Sequence, residues 1–240
     1  MGRYFEIDAF RGIALIFMII YHILYCLSAF TPYAPWFGSV SASSIPIASA
    51  FIGIAGLSLV LAKRPVKRYL QRGIQLILFG LVITVVTWIF YPSGFVVFGV
   101  LSLIGLGTIL AIPFLSEKIP WYAIAGIGTV IVLLNLVVSQ VYLSIPYLLP
   151  LGFKYSGFVS VDYEPLIPWF GVMLIGLAIG KLLYPAGKRI AALEKLGDGP
   201  KVLAPVCFLG RHTLIIYLVH VPLILACLVL TGIIPVSTFI

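Results

Sequence analysis

Charge is what this chain has least of. Of its 240 residues, 15 are Lys or Arg and 7 are Asp or Glu, so only 9% are charged. Soluble domains carry about 25%. With 62% hydrophobic residues and a mean hydropathy of +1.20, the chain cannot dress a core in a water-facing surface. That excludes an ordinary soluble enzyme and leaves a polytopic membrane protein, with the lipid bilayer as its first partner. Cysteine is scarce too. Cys26, Cys207 and Cys227 are odd in number, far apart and set in apolar sequence, which excludes a disulfide framework. They read as small hydrophobes. There is no internal repeat and no low-complexity tract, so residues 1–240 read as one domain. The net charge of +8 marks loops held at an anionic cytoplasmic face, not binding of nucleic acid.

What is present is a succession of apolar runs. About 20 mainly apolar residues cross the hydrocarbon as a helix. Spans are expected near 9–30, 43–62, 73–91, 95–115, 120–142, 165–184 and 209–231, an all-α architecture of seven transmembrane helices. Glu6 and Asp8, an overlong apolar run and no small-residue cleavage site argue against a removed signal peptide, so the first run is expected to be retained. Basic residues set the orientation. Arg3 precedes the first span, and Lys63, Arg64, Lys67, Arg68 and Arg72 follow the second. Lys118 follows the fourth, and Lys181, Lys188, Arg189, Lys195 and Lys201 follow the sixth, whereas the opposite loops carry only Lys154. The N-terminus is therefore expected in the cytoplasm and the C-terminus outside, in a multi-pass protein of the cell membrane. Residues 31–42 read as an aromatic interfacial loop, and 185–204 as a cytoplasmic loop with a short amphipathic helix at Lys188–Leu196.

The few polar residues inside these runs carry the chemical signal. His22 lies 14 residues beyond Asp8, about 21 Å along a helix, deep in the first span. An ionisable group at that depth is costly and marks a functional site unless it merely bonds across a helix interface. His220 lies at comparable depth in the last span. The pair admits several readings: a general base with its orienter, a bis-histidine haem, or a zinc site recruiting Cys26 and Cys227. Asp8 and Arg11 share one helix face and can pair with each other. Arg64, Arg68 and Arg72 recur every four residues, either as a topological anchor or as a guanidinium row suited to phosphates. Arg211 and His212 add to that side. Asp162 and Glu164, before Pro165, could cap the following helix or meet a polar acceptor arriving from outside. The arrangement suits an enzyme that takes a phosphorylated donor from the cytoplasm and delivers its group outward.

Motifs sharpen the reading. IDAFRGIALIFMIIYH in the first span resembles the opening of transmembrane acyltransferases, and the chain is most similar to the heparan-alpha-glucosaminide N-acetyltransferase-like group. AFIGIAGLSL, FGVLSLIGLG, DYEPLIPWFGVMLIGLAIGK and FLGRHTLIIYLVHVPLI extend the resemblance in order along most of the chain. It departs at Ser102, where bacterial relatives often carry histidine after the same Gly-[Val/Ile]-Leu. The resemblance implies transfer of an acyl group, usually acetyl from acetyl-CoA, across the membrane to a sugar or glycan hydroxyl or amine. It implies His22 as base or acyl carrier, His220 as its orienter or proton shuttle, and Asp8 beside them in the motif. Arg11, Arg68, Arg72 and Arg211 would bind the acyl-CoA, and Asp162 and Glu164 the acceptor. Acetyl-CoA enters as donor substrate, with no metal and no haem expected; a homo-oligomer is among the assemblies this allows. The competing class is a small transporter or proton-coupled flippase that uses the same basic mouth and buried histidines.

Overall fold

The computed structural model describes residues 4–235, with Val40 described by its backbone alone. Ten α-helices follow one another among these residues. They are α1 (Phe5–Phe30), α2 (Phe37–Val40), α3 (Ser44–Ala62), α4 (Val66–Phe90), α5 (Val100–Leu110), α6 (Trp121–Val138), α7 (Leu166–Leu183), α8 (Ala191–Glu194), α9 (Ala204–Arg211) and α10 (Thr213–Leu230). The β-type pairing found among them is an isolated bridge between Tyr142 and Lys154. Six helical segments are long and apolar enough to cross a membrane: Phe5–Phe30, Ser41–Ala62, Val66–Phe90, Trp121–Val138, Leu166–Leu183 and Thr213–Leu230. This is a multi-pass, all-helical membrane protein.

The apolar run at 95–115 takes a different form. Gly99 is extended and Phe98 left-handed (φ 54°), so α5 starts only at Val100 and covers 11 residues before the 3-10 turn Ile112–Leu115. At 1.5 Å per residue that is about 17 Å, short of a hydrocarbon core about 30 Å thick. Three further boundaries differ from expectation. α4 begins at Val66 behind the extended Pro65, which places Lys67, Arg68 and Arg72 on the helix and leaves Arg64 outside it. The last run is split at His212 (φ −104°, ψ 14°) into α9 and α10. The expected helix at Lys188–Leu196 is the single turn α8. Arg3 lies outside the described residues.

Contacts cluster in two units, divided within α3. One takes in the described parts of Met1–Phe51 and Leu196–Ile240. In it α1 is flanked by α9 and α10. Gly12 of α1 lies against the Val206 carbonyl of α9, and Gly210 of α9 against the Asp8 carbonyl of α1. A Cβ at either position would collide with that backbone, so the two glycines let the helices touch main chain to main chain. Further along, Cys26, Leu228 and Ile234 form an apolar cluster that holds α1 to the end of α10.

The other unit is Ile52–Lys195. α6 packs on α7, and α4 on α5, again through glycine. Gly128 and Gly171 face each other's carbonyls, and Gly176 lies on the main chain of Gly53. Lys181 Nζ donates to the carbonyls of Ser116 (2.6 Å) and Ile119 (2.8 Å), which fixes the turn before α6 to the end of α7.

Candidate active site

The first unit brings the two deep histidines together. The His22 ring on α1 and the His220 ring on α10 meet with centroids 4.6 Å apart at 88°. They come from chain positions almost two hundred residues apart, so helix packing alone joins them. His22 Nδ1 lies 2.8 Å from the Met18 carbonyl oxygen, one turn back on its own helix. His220 Nδ1 lies 2.5 Å from the Tyr217 carbonyl oxygen. A carbonyl oxygen only accepts, so in both residues Nδ1 carries the proton and donates it. Nε2 is then the basic nitrogen of each ring. His220 is 7% exposed, and among the described residues its Nε2 has no hydrogen-bond partner. A buried acceptor with nothing to accept costs about 1–3 kcal/mol, and a catalytic role is one explanation for keeping such a group.

Two tyrosines frame the pair. The Tyr21 ring stands on His22 at 5.5 Å, and the Tyr217 ring on His220 at 5.4 Å. Neither was singled out by the sequence. The clue available was adjacency alone, Tyr21 next to His22 and Tyr217 one turn before His220.

Asp8 and Arg11 sit elsewhere on α1. Arg11 Nη1 donates to Asp8 Oδ1 at 3.4 Å, with Asp8 buried. Asp8 lies about 21 Å and Arg11 about 17 Å along α1 from His22, at the crossing with α9. Gly210 touches the Asp8 carbonyl there, and the exposed Arg211 follows it. Asp8 and Arg211 are thus held at one end of this unit, and the histidine pair lies far along the same helix.

In the second unit Arg68 and Arg72 stand one turn apart on α4. Arg68 is exposed, and Arg72 Nη1 donates to Gln75 Oε1 at 3.0 Å. The Tyr69 hydroxyl donates to the Leu59 carbonyl (2.9 Å) and accepts from the Arg64 N–H (3.2 Å), which pins the turn that starts the helix.

Asp162 and Glu164 also belong to this unit. Asp162 Oδ2 accepts from the Val100 N–H at 3.3 Å, so this carboxylate caps α5 and not the helix that follows it in sequence. Residues 160–164 are tied to 94–98 by Val161 N–H to the Gly94 carbonyl (2.9 Å) and Glu164 N–H to the Phe98 carbonyl (3.0 Å). Burial, then the Asp162 charge, push the Glu164 carboxyl up to about 8; a hydrogen bond from the Trp169 side chain and the charge of Lys154 pull the other way. Burial also pushes the Tyr163 phenol up to about 12. Its hydroxyl donates to the Leu149 carbonyl at 2.6 Å, and Lys154 lies over its ring at 5.2 Å.

The cysteines differ in their surroundings. Cys26 is packed with Leu228 and Ile234, and Cys227 is exposed. Among the described residues no three His, Cys, Asp or Glu side chains gather as a metal-holding group.

The family described as heparan-alpha-glucosaminide N-acetyltransferase, catalytic, matches residues 3–222. The chain belongs to this family. No curated protein and no solved structure matches it. The resemblance carried by the first and last motifs is borne out. The acetyltransferase match begins ahead of Asp8 and ends two residues beyond His220, so every candidate residue of both units falls within it.

Proposed function

We propose that the chain is a membrane acyltransferase that moves an acetyl group from cytoplasmic acetyl-CoA to a sugar or glycan hydroxyl or amine at the external face of the cell membrane. Membership of the acetyltransferase family supports the reaction class. The observation that carries the reading to residues is the His22–His220 pair, two imidazoles in edge-to-face contact with both Nδ1 protons fixed on backbone carbonyls.

In direct transfer, His22 Nε2 takes the proton of the acceptor O–H or N–H as that atom attacks the thioester carbonyl. The C–S bond breaks, and the CoA thiolate recovers the proton. In the two-step form, Nε2 itself attacks the thioester carbonyl and the C–S bond breaks to release the CoA thiolate; the acceptor atom then takes the acetyl group as the C–Nε2 bond breaks, and its proton passes to the thiolate. Both forms need Nε2 bare and Nδ1 protonated, and the Met18 carbonyl imposes that state. His220 stabilises the charged His22 ring or passes the proton on. Asp8 has a lesser part, holding Arg11 in place. Arg11, Arg68, Arg72 and Arg211 carry guanidinium groups of the kind that bind phosphates, and are our candidates for the CoA phosphates. Glu164, protonated up to about pH 8, is a hydrogen-bond donor for a sugar acceptor, with Asp162 beside it. The basic loops support the N-terminus inside and the C-terminus outside, with all 240 residues serving one function.

The test is calorimetric titration of CoA and acetyl-CoA into the purified protein in lipid nanodiscs. Micromolar binding that is lost in Arg68→Ala/Arg72→Ala upholds the donor. Absence of binding in several lipid compositions removes the acyltransferase reading and leaves the transporter.

A further inference from the structure

The first unit holds a groove that the reaction above does not use. It is about 600 Å³ in volume and runs between α1, the α2 turn and the start of α3. Its α1 wall is one helix face, including Phe10, Ile13, Phe17 and Tyr21, and Trp36 and Ile47 close the other side. Tyr21 and Ser43 supply its polar side chains. Phe10, Ile13, Phe17 and Trp36 are each more than two-fifths exposed, so the groove is continuous with the surface that the spanning helix shows to lipid. No Asp, Glu, Lys or Arg occurs in residues 12–51 or 213–235. The groove's walls carry no charged side chain, so a neutral chain is the ligand that complements them.

Length narrows the occupant. From Phe10 to Leu24 the groove follows about 21 Å of α1. Half of a hydrocarbon core is about 15 Å, so a chain filling the groove passes the bilayer midplane, which the chain of an ordinary phospholipid does not. One wall residue links the groove to the reactive pair. Tyr21 is in its wall, and the same ring stands on His22 at 5.5 Å.

We propose that this groove seats the long hydrocarbon chain of a lipid-linked sugar, so that the acceptor reaches His22 sideways from the bilayer. This rests on the acyltransferase reading and names its acceptor class. Tyr21 becomes the point where chain gives way to head group, and the sugar hydroxyl or amine lies beyond it, beside the histidines. Affinity comes from chain burial, which the uncharged wall provides; the histidines then need to recognise little of the sugar.

The experiment uses the full chain in nanodiscs and an icosyl β-D-glucosaminide carrying a diazirine at the chain end. After photolysis, adducts are mapped by peptide mass spectrometry. Adducts concentrated on the α1 and α3 groove residues, displaced by unlabelled icosyl glucosaminide but not by excess phospholipid, are the expected result. Filling the groove with Ile47→Trp, or with Ala50→Trp as the second variant, is expected to cut that labelling about tenfold or more. Adducts spread equally over the lipid-facing side of α4, or displaced equally by phospholipid, overturn the proposal. So does labelling that both groove-filling variants retain. Acetyl-CoA titration of the same samples reads the acyltransferase assignment separately: lost donor binding with intact groove labelling condemns the reaction and not the groove.

Discussion

His22 and His220 face each other edge to face at 4.6 Å, each with its Nδ1 proton given to a carbonyl of its own helix. Neither ring can turn over without losing that bond, so the pair presents its two Nε2 atoms in a fixed tautomer. In the proposed reaction such a base would be preorganised, and proton transfer by a positioned side chain is worth about 10²–10⁴-fold in rate. His22→Ala is therefore expected to lower acetyl transfer by at least about 10²-fold with acetyl-CoA affinity kept. His220→Ala should fall in the same range, and the double variant should be little worse than either single one, because residues acting as a unit are not additive. Radiolabelled acetyl transfer in nanodiscs measures all three. Full activity of His22→Ala would end its catalytic assignment.

The arginine pair makes a different kind of prediction. Arg68 and Arg72 rise from one face of α4, and a hydrogen bond to a charged group contributes about 1.5–3 kcal/mol. Replacing both by Ala should weaken acetyl-CoA binding by about 10²-fold or more, with a smaller effect of Lys replacements, which keep charge but lose the fork. The weakening should shrink as salt is raised. Unchanged affinity would reduce the pair to an anchor of topology.

Close backbone approach predicts stability. Gly12 and Gly210 each leave no room for a Cβ at the α1–α9 crossing, whereas a Cβ at Gly38 meets nothing within 4 Å. Gly12→Val and Gly210→Val should destabilise the fold by about 1–3 kcal/mol or more, as overpacking does. Gly38→Ala should leave Tm nearly unchanged. Thermal unfolding in one detergent compares them directly, and a silent Gly210→Val would mean that the helices are not so close.

Much of this was legible in the sequence, and the failures have physical causes. The depth of His22 and His220 could be counted along apolar runs, and equal depth on two helices was enough to pair them. The run at 95–115 could not be resolved in the same way. Hydropathy sees an unbroken apolar stretch, but the left-handed Phe98 and extended Gly99 delay the helix, and Pro113 sits in the turn that ends it. A buried short helix and a spanning one have the same composition. Arg64 dropped out of its row because Pro65 is the N-cap of α4, a backbone effect that spacing alone ignores. The bond from Asp162 to Val100 joins residues 62 positions apart, and no local pattern announces it. Of the two roles the sequence leaves open for Asp162, a cap for the following helix or a contact for an acceptor, the cap goes instead to α5, because the chain folds back there.

Glu164 carries the pH prediction. Its carboxyl is raised from the ordinary range to about 8, first by burial and then by the Asp162 charge. Unfolded, it ionises near 4.5. Between those values the folded chain holds a proton that the unfolded chain has released, so stability falls as pH rises from about 4.5 and levels off above about 8. The penalty accumulates at about 1.4 kcal/mol per unit of pKa difference. It should be felt locally as well, because Glu164 N–H is bonded to Phe98 and its neighbour Asp162 caps α5. Glu164→Gln keeps the shape and cannot ionise. It is expected to raise Tm at pH 8 and above, to leave Tm near pH 5 almost as it was, and to flatten the profile between. Amide exchange at residues 98–103 should rise with pH in the parent beyond the intrinsic rate and not do so in the variant. A parent and a Gln variant with parallel Tm profiles from pH 5 to 9 would show that this carboxyl ionises normally.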